Sequence, residues 1–335
     1  MYWKDKVILV TGGTGSFRKK FIDLILKEYQ PAKVIVYSRD ELKQHEMRVA
    51  GFDHPDLRYF IGDIRDRDRL KRALNGVHYV VHAAALKQVP ACEYNPMEAI
   101  KTNILGSSNV IDAALDAGVE RVIALSTDKA VNPVNLYGAT KLAAEKLFVQ
   151  SNFYAAGTST RFACVRYGNV VGSRGSVVPV FLKQRQTGTV TITDNRMTRF
   201  WISLEQGARF VIRCLEQMQG GEVFVPKIPS MRVIDLATTI APDAKVNIVG
   251  IRPGEKLHEV LISEDEARTT VELDDMFVVQ PAEAHWFGHA WERQGQPLPD
   301  GFRYASDTNP DWMTLEQIQK MVAPFEEAFE QGKES

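Results

Sequence analysis

The first half of the chain alternates short apolar runs with helical patterns, and this alternation constrains the fold more than any other feature. Six runs are predicted to be strands: Lys6–Val10, Lys33–Tyr37, Leu57–Ile61, His78–His82, Arg121–Ser126 and Arg161–Tyr167. Continuous apolar runs are typical of parallel strands that are buried on both faces. About five strand–helix units in succession predict an α/β fold with a doubly wound parallel sheet.

The composition limits the class of protein. The chain has 335 residues and a formal net charge of −1, with acidic and basic residues interspersed. This balance argues against nucleic-acid binding and against binding to an anionic membrane surface. No apolar run approaches the ~18–20 residues that a membrane-spanning helix needs, and the first strand follows the N-terminus too closely for a signal peptide. The three widely spaced cysteines are typical of reduced thiols. We expect a soluble, cytoplasmic protein.

The regular alternation breaks after residue 170, and this break predicts two parts. Residues 1–170 are expected to form a dinucleotide-binding domain that also carries the catalytic residues. Residues 171–335 are expected to form a smaller, mixed α/β lobe that mainly binds substrate and partly returns to the main sheet. Within this lobe Gly172–Ser176 is predicted to be a flexible loop.

Two helices carry recognisable end or break signals. A long helix is predicted from Pro96, with Asn95 as its N-cap, to just before Gly118. A final amphipathic helix is predicted from about Leu315, and Pro324 is a candidate for interrupting it.

A glycine-rich turn lies between the first strand and the first helix. Gly12 and Gly15 match the first two glycines of a dinucleotide-binding loop, in which backbone N–H groups meet a pyrophosphate at a helix N-terminus. The third glycine position is occupied by Arg18, which must point outward or push the helix away, unless it reaches a cofactor phosphate. Dinucleotide binding is therefore predicted, with Thr14, Ser16 and Phe17 in the same loop.

The end of the second strand indicates which dinucleotide is bound. NAD-specific folds commonly place an acid here, whereas an arginine accommodates the 2′-phosphate of NADP. Ser38, Arg39 and Lys43 favour NADP, although Arg39 could instead open a solvated helix. The other residues assigned to the cofactor are Asp40, Glu41, Leu42, Asp63, Ile64, Ala83, Lys87, Leu125 and Ser126.

The candidate catalytic residues follow the fifth strand. Thr127, Asp128 and Lys129 lie in a polar loop, and Tyr137 and Lys141 then share one face of a helix. A Tyr-x-x-x-Lys pair alone proves little, because the same spacing occurs at Tyr2 and at Tyr29 without an assigned function. Only the copy at Tyr137 follows a buried strand and a loop that could hold it beside a cofactor. His82 is expected to be structural, and no metal site is expected.

Together these motifs resemble a known family. The sequence is similar to extended short-chain dehydrogenases/reductases, and more narrowly to the soluble inverting UDP-N-acetylglucosamine 4,6-dehydratases of pseudaminic acid biosynthesis. The resemblance rests on TGGTGSF, YSRDE, GDIRD, YNPMEAIKTN, ALSTDKAVNPVNLYGATK, RYGNVVGSRGSVVP, MTRFW, FVPKIPSM and IRPGEKLHE. The chain departs from the family at Arg18, where glycine is usual, and at Gln88, where histidine is common.

The resemblance implies a Rossmann fold, NADP as cofactor, a UDP-sugar substrate and a homo-oligomer, either a dimer or a hexamer. It implies that Tyr137, with its pKa lowered by Lys141 and the nicotinamide charge, accepts the proton of the sugar 4-OH while Thr127 binds the same oxygen. Asp128 would protonate the departing 6-OH and Lys129, with a depressed pKa, would take the C5 proton, a role that Tyr137 could share. The residues implied to bind the nucleotide sugar are Lys87, Asn169, Val177, Val178, Thr191, Arg199, Arg252 and Glu255.

Two other functions stay open at this point. A UDP-sugar 4-epimerase has the same fold and cofactor, but the family with that activity has small residues where this chain has Asp128 and Lys129. A non-catalytic, NADP-binding regulatory protein is favoured only by Arg18. The pair Asp128–Lys129 could also be a loop salt bridge without a catalytic role.

Overall fold

The computed structural model of the chain describes residues 3–172, 176–281 and 291–332. The predicted loop Gly172–Ser176 therefore lies largely outside the described residues. No helix among the described residues is long and apolar enough to cross a membrane. Those residues also contain no cluster of His, Cys, Asp and Glu that could hold a metal ion.

The first half of the chain forms the predicted strand–helix units. Its strands are β1 (Val7–Thr11), β2 (Lys33–Ser38), β3 (Leu57–Ile61), β4 (Tyr79–His82), β5 (Arg121–Leu125), β6 (Arg161–Val165) and β7 (Asn169–Val170). Its helices are α1 (Ser16–Leu24), α2 (Glu41–Val49), α3 (Arg67–Leu74), α4 (Val89–Tyr94), α5 (Pro96–Ile100), α6 (Gly106–Ala117) and α7 (Leu136–Tyr154). A 3₁₀ turn, Asp128–Ala130, links β5 to α7.

The second half is irregular, as the sequence predicts. Its helices are α8 (Val177–Arg185), α9 (Leu204–Gln217), α10 (Val233–Ile240), α11 (Glu264–Ala267) and α12 (Leu315–Glu330). Its strands are β8 (Thr189–Ile192), β9 (Thr198–Ile202), β10 (Val223–Pro226), β11 (Ser230–Arg232), β12 (Lys245–Ile248), β13 (Val260–Ile262), β14 (Thr270–Glu272), β15 (Met276–Val279), β16 (Gln296–Pro297) and β17 (Tyr304–Ala305).

A ten-stranded sheet organises the molecule, in the order β16-β14-β15-β10-β6-β5-β4-β1-β2-β3. Neighbouring strands are parallel from β3 to β10, which confirms the doubly wound parallel sheet. Three strands from the second half then extend the sheet in antiparallel pairing. The carboxyl ends of β1, β4 and β5 lie side by side, and this edge is where such sheets bind ligands.

The mixed lobe has its own apolar core. Buried side chains of α8, α10, α12 and the parallel pair β8–β12 pack together there. Strands β10, β14 and β15, by contrast, belong to the main sheet and its core. The smaller mixed lobe is therefore present, while the division at residue 170 stays a prediction.

Two helix predictions need correction. The helix predicted from Pro96 is formed by α5, a π-helical turn (Lys101–Leu105) and α6 in succession. It ends before Gly118, whose φ of +66° suits glycine, but the Asn95 side chain does not cap its start. The Asn95 amide instead donates to the carbonyl of Ala91, 3.0 Å away, because Asn95 also closes α4. Pro324 does not interrupt α12; Val322 and Phe325, on either side of it, pack in the same core, which offsets the hydrogen bond that proline removes.

Candidate active site

The glycine-rich loop lies close against the neighbouring strands. A Cβ atom on Gly13 would lie 2.6 Å from the side chain of Val36 on β2, so the loop can pack on β2 only without that side chain. The Thr11 hydroxyl accepts hydrogen bonds from the backbone N–H groups of Ala83 and Ala84, at 3.0 and 3.1 Å. The loop is thereby fixed beside the end of β4, with the N-terminus of α1 facing the sheet edge.

Two adjoining cavities of about 440 and 240 Å³ lie along this edge. The larger one runs from the glycine-rich loop to the catalytic stretch and is lined by Thr14, Gly15, Ser16, Phe17, Ala83, Lys87, Leu125, Ser126, Thr127, Lys129, Tyr137 and Lys141, among others. The smaller one lies at the ends of β2 and β3 and is lined by Gly12, Ser38, Arg39, Asp40, Asp63 and Ile64, among others. Thr14 and Lys43 line both cavities.

Nearly all residues assigned to the cofactor therefore lie around one continuous groove. Glu41 and Leu42 are the exceptions, because they lie exposed on the first turn of α2 and line neither cavity. Arg39 lies 3.6 Å from Asp63, and Lys43 pairs with Asp40 at 2.5 Å. Cations and acids thus alternate at the end of β2.

Arg18 points into the groove, and the expectation that it points outward or pushes the helix away is wrong. Its guanidinium donates to the backbone carbonyls of Gly12 and, at 2.5 Å, of Ala83. It lies against Gly15, where a Cβ atom would come within 2.5 Å of it, and it lines both cavities. Burial lowers its pKa to about 10, and the phenols of Tyr167 and Tyr137 offset this only in part. The glycines leave room for the inward side chain, so the helix does not have to move.

The polar loop after β5 brings a hydroxyl, a carboxylate and an ammonium together. The Thr127 hydroxyl donates to Asp128 Oδ1 at 2.7 Å, and Lys129 Nζ donates to the same oxygen at 3.1 Å. The Asp128 side chain is buried, while Lys129 lines the larger cavity. Burial alone would raise the pKa of Asp128, but Lys129 and Thr127 outweigh it and lower this pKa.

The pKa of Lys129 is raised, and the expectation of a depressed value is wrong. Burial alone would lower it, but the carboxylates of Asp128 and Glu259 more than offset that effect. Glu259 Oε1 lies 3.6 Å from Lys129 Nζ. The sequence reading missed this second carboxylate, although it stands in the IRPGEKLHE motif.

Tyr137 and Lys141 both line the larger cavity, as the helical spacing predicts, but the groups that shift their pKa values differ from the expectation. Burial raises the pKa of Tyr137 to about 12, and the cation that opposes this rise is Lys129. Lys141 donates to the carbonyl of Leu125 at 2.7 Å, and burial lowers its pKa. Thr127 is a hydrogen-bond partner of the Tyr137 phenol, and its contact with a sugar oxygen stays a prediction.

The residues assigned to the substrate are more dispersed. Lys87 lines the larger cavity, and Asn169 lies between Gly168 and Val170, which line it too. The guanidinium of Arg199 donates to the carbonyls of Thr198, Leu257 and Lys256, at 2.7, 3.0 and 3.0 Å. Outside the two cavities lie Asn169, Val177, Val178, Thr191, Arg199, Arg252 and Glu255. Their contact with a nucleotide sugar stays a prediction.

His82 is buried beside the site. Its Nδ1 lies 2.9 Å from the Thr11 hydroxyl and its Nε2 lies 3.2 Å from the Ser107 hydroxyl. Burial lowers its pKa to about 3. A neutral, hydrogen-bonded histidine in this position connects β1, β4 and α6.

Comparison with known proteins places this geometry in a family. A family model described as polysaccharide biosynthesis protein matches residues 8–281. The chain belongs to this family. It is 54% identical to the inverting UDP-N-acetylglucosamine 4,6-dehydratase of Campylobacter jejuni, over 96% of this chain and 98% of that protein. It is also 42% identical to a UDP-glucose 4-epimerase of Rickettsia conorii, over 82% of each chain.

Two solved structures have the same fold. The X-ray structure of Pen from Bacillus thuringiensis is 37% identical, with a TM-score of 0.89 over 97% of this chain and 99% of that one. DesIV from Streptomyces venezuelae, a dTDP-glucose 4,6-dehydratase solved with NAD bound, is 25% identical, with a TM-score of 0.67 over 75% of this chain and 86% of that one. The resemblance to the inverting dehydratases is confirmed.

Proposed function

We propose that this protein is an inverting UDP-N-acetylglucosamine 4,6-dehydratase. The observation that carries the proposal is the 54% identity to the Campylobacter enzyme over nearly the whole chain, together with the meeting of Thr127, Lys129 and Tyr137 in one cavity. The product is a UDP-activated 4-keto-6-deoxy sugar with inverted C5. We place this reaction at the start of pseudaminic acid synthesis.

The groove suits a nicotinamide dinucleotide, because Gly12 and Gly15 present backbone without a side chain to the cavities, which together extend from β2 to α7. A bound nicotinamide would accept a hydride from C4 of the sugar and return it to C6. Ser38, Arg39 and Lys43 support NADP over NAD, because two cations line the cavity at the end of β2, where an arginine accommodates a 2′-phosphate in NADP-binding folds.

The chain's own residues supply the proton transfers. In its phenolate form Tyr137 accepts the 4-OH proton, with Thr127 bound to the same oxygen, so that C4 becomes a ketone. The Lys129 cation and the positive charge of a bound nicotinamide would favour this form against the effect of burial. The ketone acidifies the C5 hydrogen. Lys129 takes that proton while Asp128 protonates the departing 6-OH, and each such assistance typically contributes ~10²–10⁴-fold.

The resting state of Asp128 and Lys129 is an ion pair, whereas the elimination needs a protonated acid and a neutral amine. One proton transfer along the 3.1 Å hydrogen bond from Lys129 Nζ to Asp128 Oδ1 interconverts the two states without changing the net charge. After the elimination, Lys129 has gained the C5 proton and Asp128 has lost its own. The ion pair is thereby restored, so the raised pKa of Lys129 is compatible with the reaction.

A UDP-sugar 4-epimerase is the second candidate, favoured by the Rickettsia relative. Purified protein incubated with UDP-N-acetylglucosamine in D₂O and followed by NMR separates the functions. A 4-keto-6-deoxy product with inverted, deuterated C5 is expected. UDP-N-acetylgalactosamine alone would indicate the epimerase, and no turnover with intact dinucleotide binding would indicate a regulatory protein.

Three finer proposals need their own measurements. Titration with NADP⁺ and NAD⁺ compares the two dinucleotides, and light scattering after gel filtration gives the size of the proposed homo-oligomer, a dimer or a hexamer. A cytoplasmic location rests on the resemblance to the soluble enzymes and is checked by cell fractionation.

A further inference from the structure

Glu259 contacts the catalytic lysine from a distant part of the chain. Its Oε1 lies 3.6 Å from Lys129 Nζ, and Asp128 Oδ1 lies 3.1 Å from the same nitrogen. Arg199 Nε lies 3.7 Å from the same glutamate oxygen. The Glu259 side chain is 3% exposed. A carboxylate is costly to bury unless a cation compensates it, and Lys129 and Arg199 provide that compensation.

The fold fixes Glu259 firmly. Its backbone N–H donates to the Ser306 hydroxyl at 2.9 Å, and its carbonyl accepts from the Ser306 N–H at 2.8 Å. The following strand, β13, pairs with β17, and Val260 packs with Val131 directly after the catalytic turn. The glutamate is therefore held against the loop that carries Lys129.

The two carboxylates around Lys129 share an unusual feature. Asp128 Oδ2 and Glu259 Oε2 are both buried, and neither has a hydrogen-bond partner among the described residues. Because no hydrogen bond from these residues compensates the charge on the two oxygens, both carboxylates attract the Lys129 ammonium strongly. The charged or titratable groups that face Lys129 are Lys87, Asp128, Tyr137, Arg199, Lys256 and Glu259.

We infer that Glu259 is a positioning residue that holds Lys129 toward the larger cavity and stabilises the ammonium formed when Lys129 accepts the C5 proton. The inference rests on the proposed dehydratase function. In the step, the C5–H electrons form the C5–C6 double bond, the C6–O bond breaks, and the leaving oxygen takes the proton of Asp128 and departs as water. Lys129 ends as a cation between two carboxylates.

The consequence is a specific pH dependence. Removing the charge of Glu259 lowers the pKa of Lys129, because one of its two compensating anions is lost. In Glu259→Gln, which keeps the side-chain shape, the upper pH limit of C5 exchange should move down by about one unit or more. The maximal exchange rate should fall by about tenfold or more, since the new ammonium is less stabilised.

Two measurements test this inference. The first is the pH profile of C5 deuterium exchange in wild type and Glu259→Gln, with Glu264→Gln as a matched control on the exposed first turn of α11. The second is competitive acylation of Lys129, read by peptide mass spectrometry against pH, which gives its pKa without turnover. Dinucleotide binding and thermal unfolding confirm that the variants are folded.

The outcomes are separable. A downward shift in Glu259→Gln and none in Glu264→Gln supports the inference, and Glu259→Asp, which keeps the charge, should recover part of the shift. A slower Glu259→Gln enzyme with the wild-type pH limits overturns it, because that result describes a structural role.

If Glu259→Gln does not fold, a wild-type Lys129 that titrates at or below the ordinary lysine value overturns the inference. If the wild type does not dehydrate the sugar, the proposed function fails, while acylation of Lys129 still decides the contact with Glu259.

Discussion

Replacement of Arg18 with glycine should weaken the binding of NADP⁺. The Arg18 guanidinium lies half-buried in the groove, and it donates hydrogen bonds to the neutral carbonyls of Gly12 and Ala83. No carboxylate of the described residues forms an ion pair with it, and its pKa is lowered to about 10. A half-buried cation without a counter-charge among the described residues, beside the N-terminus of α1, is suited to a pyrophosphate.

The size of the effect follows from the donors of Arg18. Guanidinium has five N–H donors, so it can keep a carbonyl bond and still reach a phosphate. A hydrogen bond to a charged group contributes about 1.5–3 kcal/mol. Its loss should therefore raise the dissociation constant ~10- to 150-fold. Isothermal titration calorimetry with NADP⁺ and ADP-ribose measures this change, and the wild type should lose more affinity with added salt than the variant.

Arg18→Met separates charge from volume, because it fills the groove without a cation. We expect it to bind NADP⁺ at least as weakly as Arg18→Gly. Tighter binding by Arg18→Gly, with Arg18→Met no tighter than wild type, would refute the reasoning and show that the side chain obstructs the groove.

Three more changes test other parts of the structure. Lys129→Ala should abolish C5 deuterium exchange while NADP⁺ binding measured by calorimetry is unchanged; persistent exchange would remove Lys129 from its role as base. Arg166→Met should reduce the free energy of unfolding in urea by about 3–5 kcal/mol, because Arg166 is buried between Glu145 and Glu266 at 2.6 and 2.9 Å. Adding Glu145→Gln and Glu266→Gln should restore much of it, and a loss below about 1 kcal/mol for Arg166→Met alone would contradict a buried triad. Burial lowers the pKa of His82 from 6.5 to about 3. Between these two values the unfolded chain binds a proton at His82 that the folded chain does not bind. Its contribution to stability is complete above pH 6.5 and is lost as the pH falls towards 3, by up to about 1.4 kcal/mol per pH unit. His82→Asn should flatten this slope in urea unfolding between pH 6 and 4, and an unchanged slope would assign it to other groups.

Much of the fold and part of the site could be predicted from the sequence because their signals are local. Apolar runs of strand length give β1 to β6, and the glycine-rich turn and the Tyr137–Lys141 spacing each lie within a few residues of chain. Local backbone rules specify such features directly. Asn95 shows the limit of such rules. It lies between α4 and α5, and its side chain bonds to α4 although the sequence pattern predicts that it caps α5.

The rest depended on parts of the chain that only packing brings together. The sequence by itself determined the parallel sheet, the dinucleotide loop and the catalytic stretch, because hydrophobic period and turn chemistry act over short distances. Only the tertiary structure turned Arg18 into the groove and brought Glu259 to Lys129. It thereby decided that the pKa of Lys129 is raised and not lowered. An electrostatic pKa shift depends on which charges lie within a few ångströms, and separation along the chain does not reveal that distance.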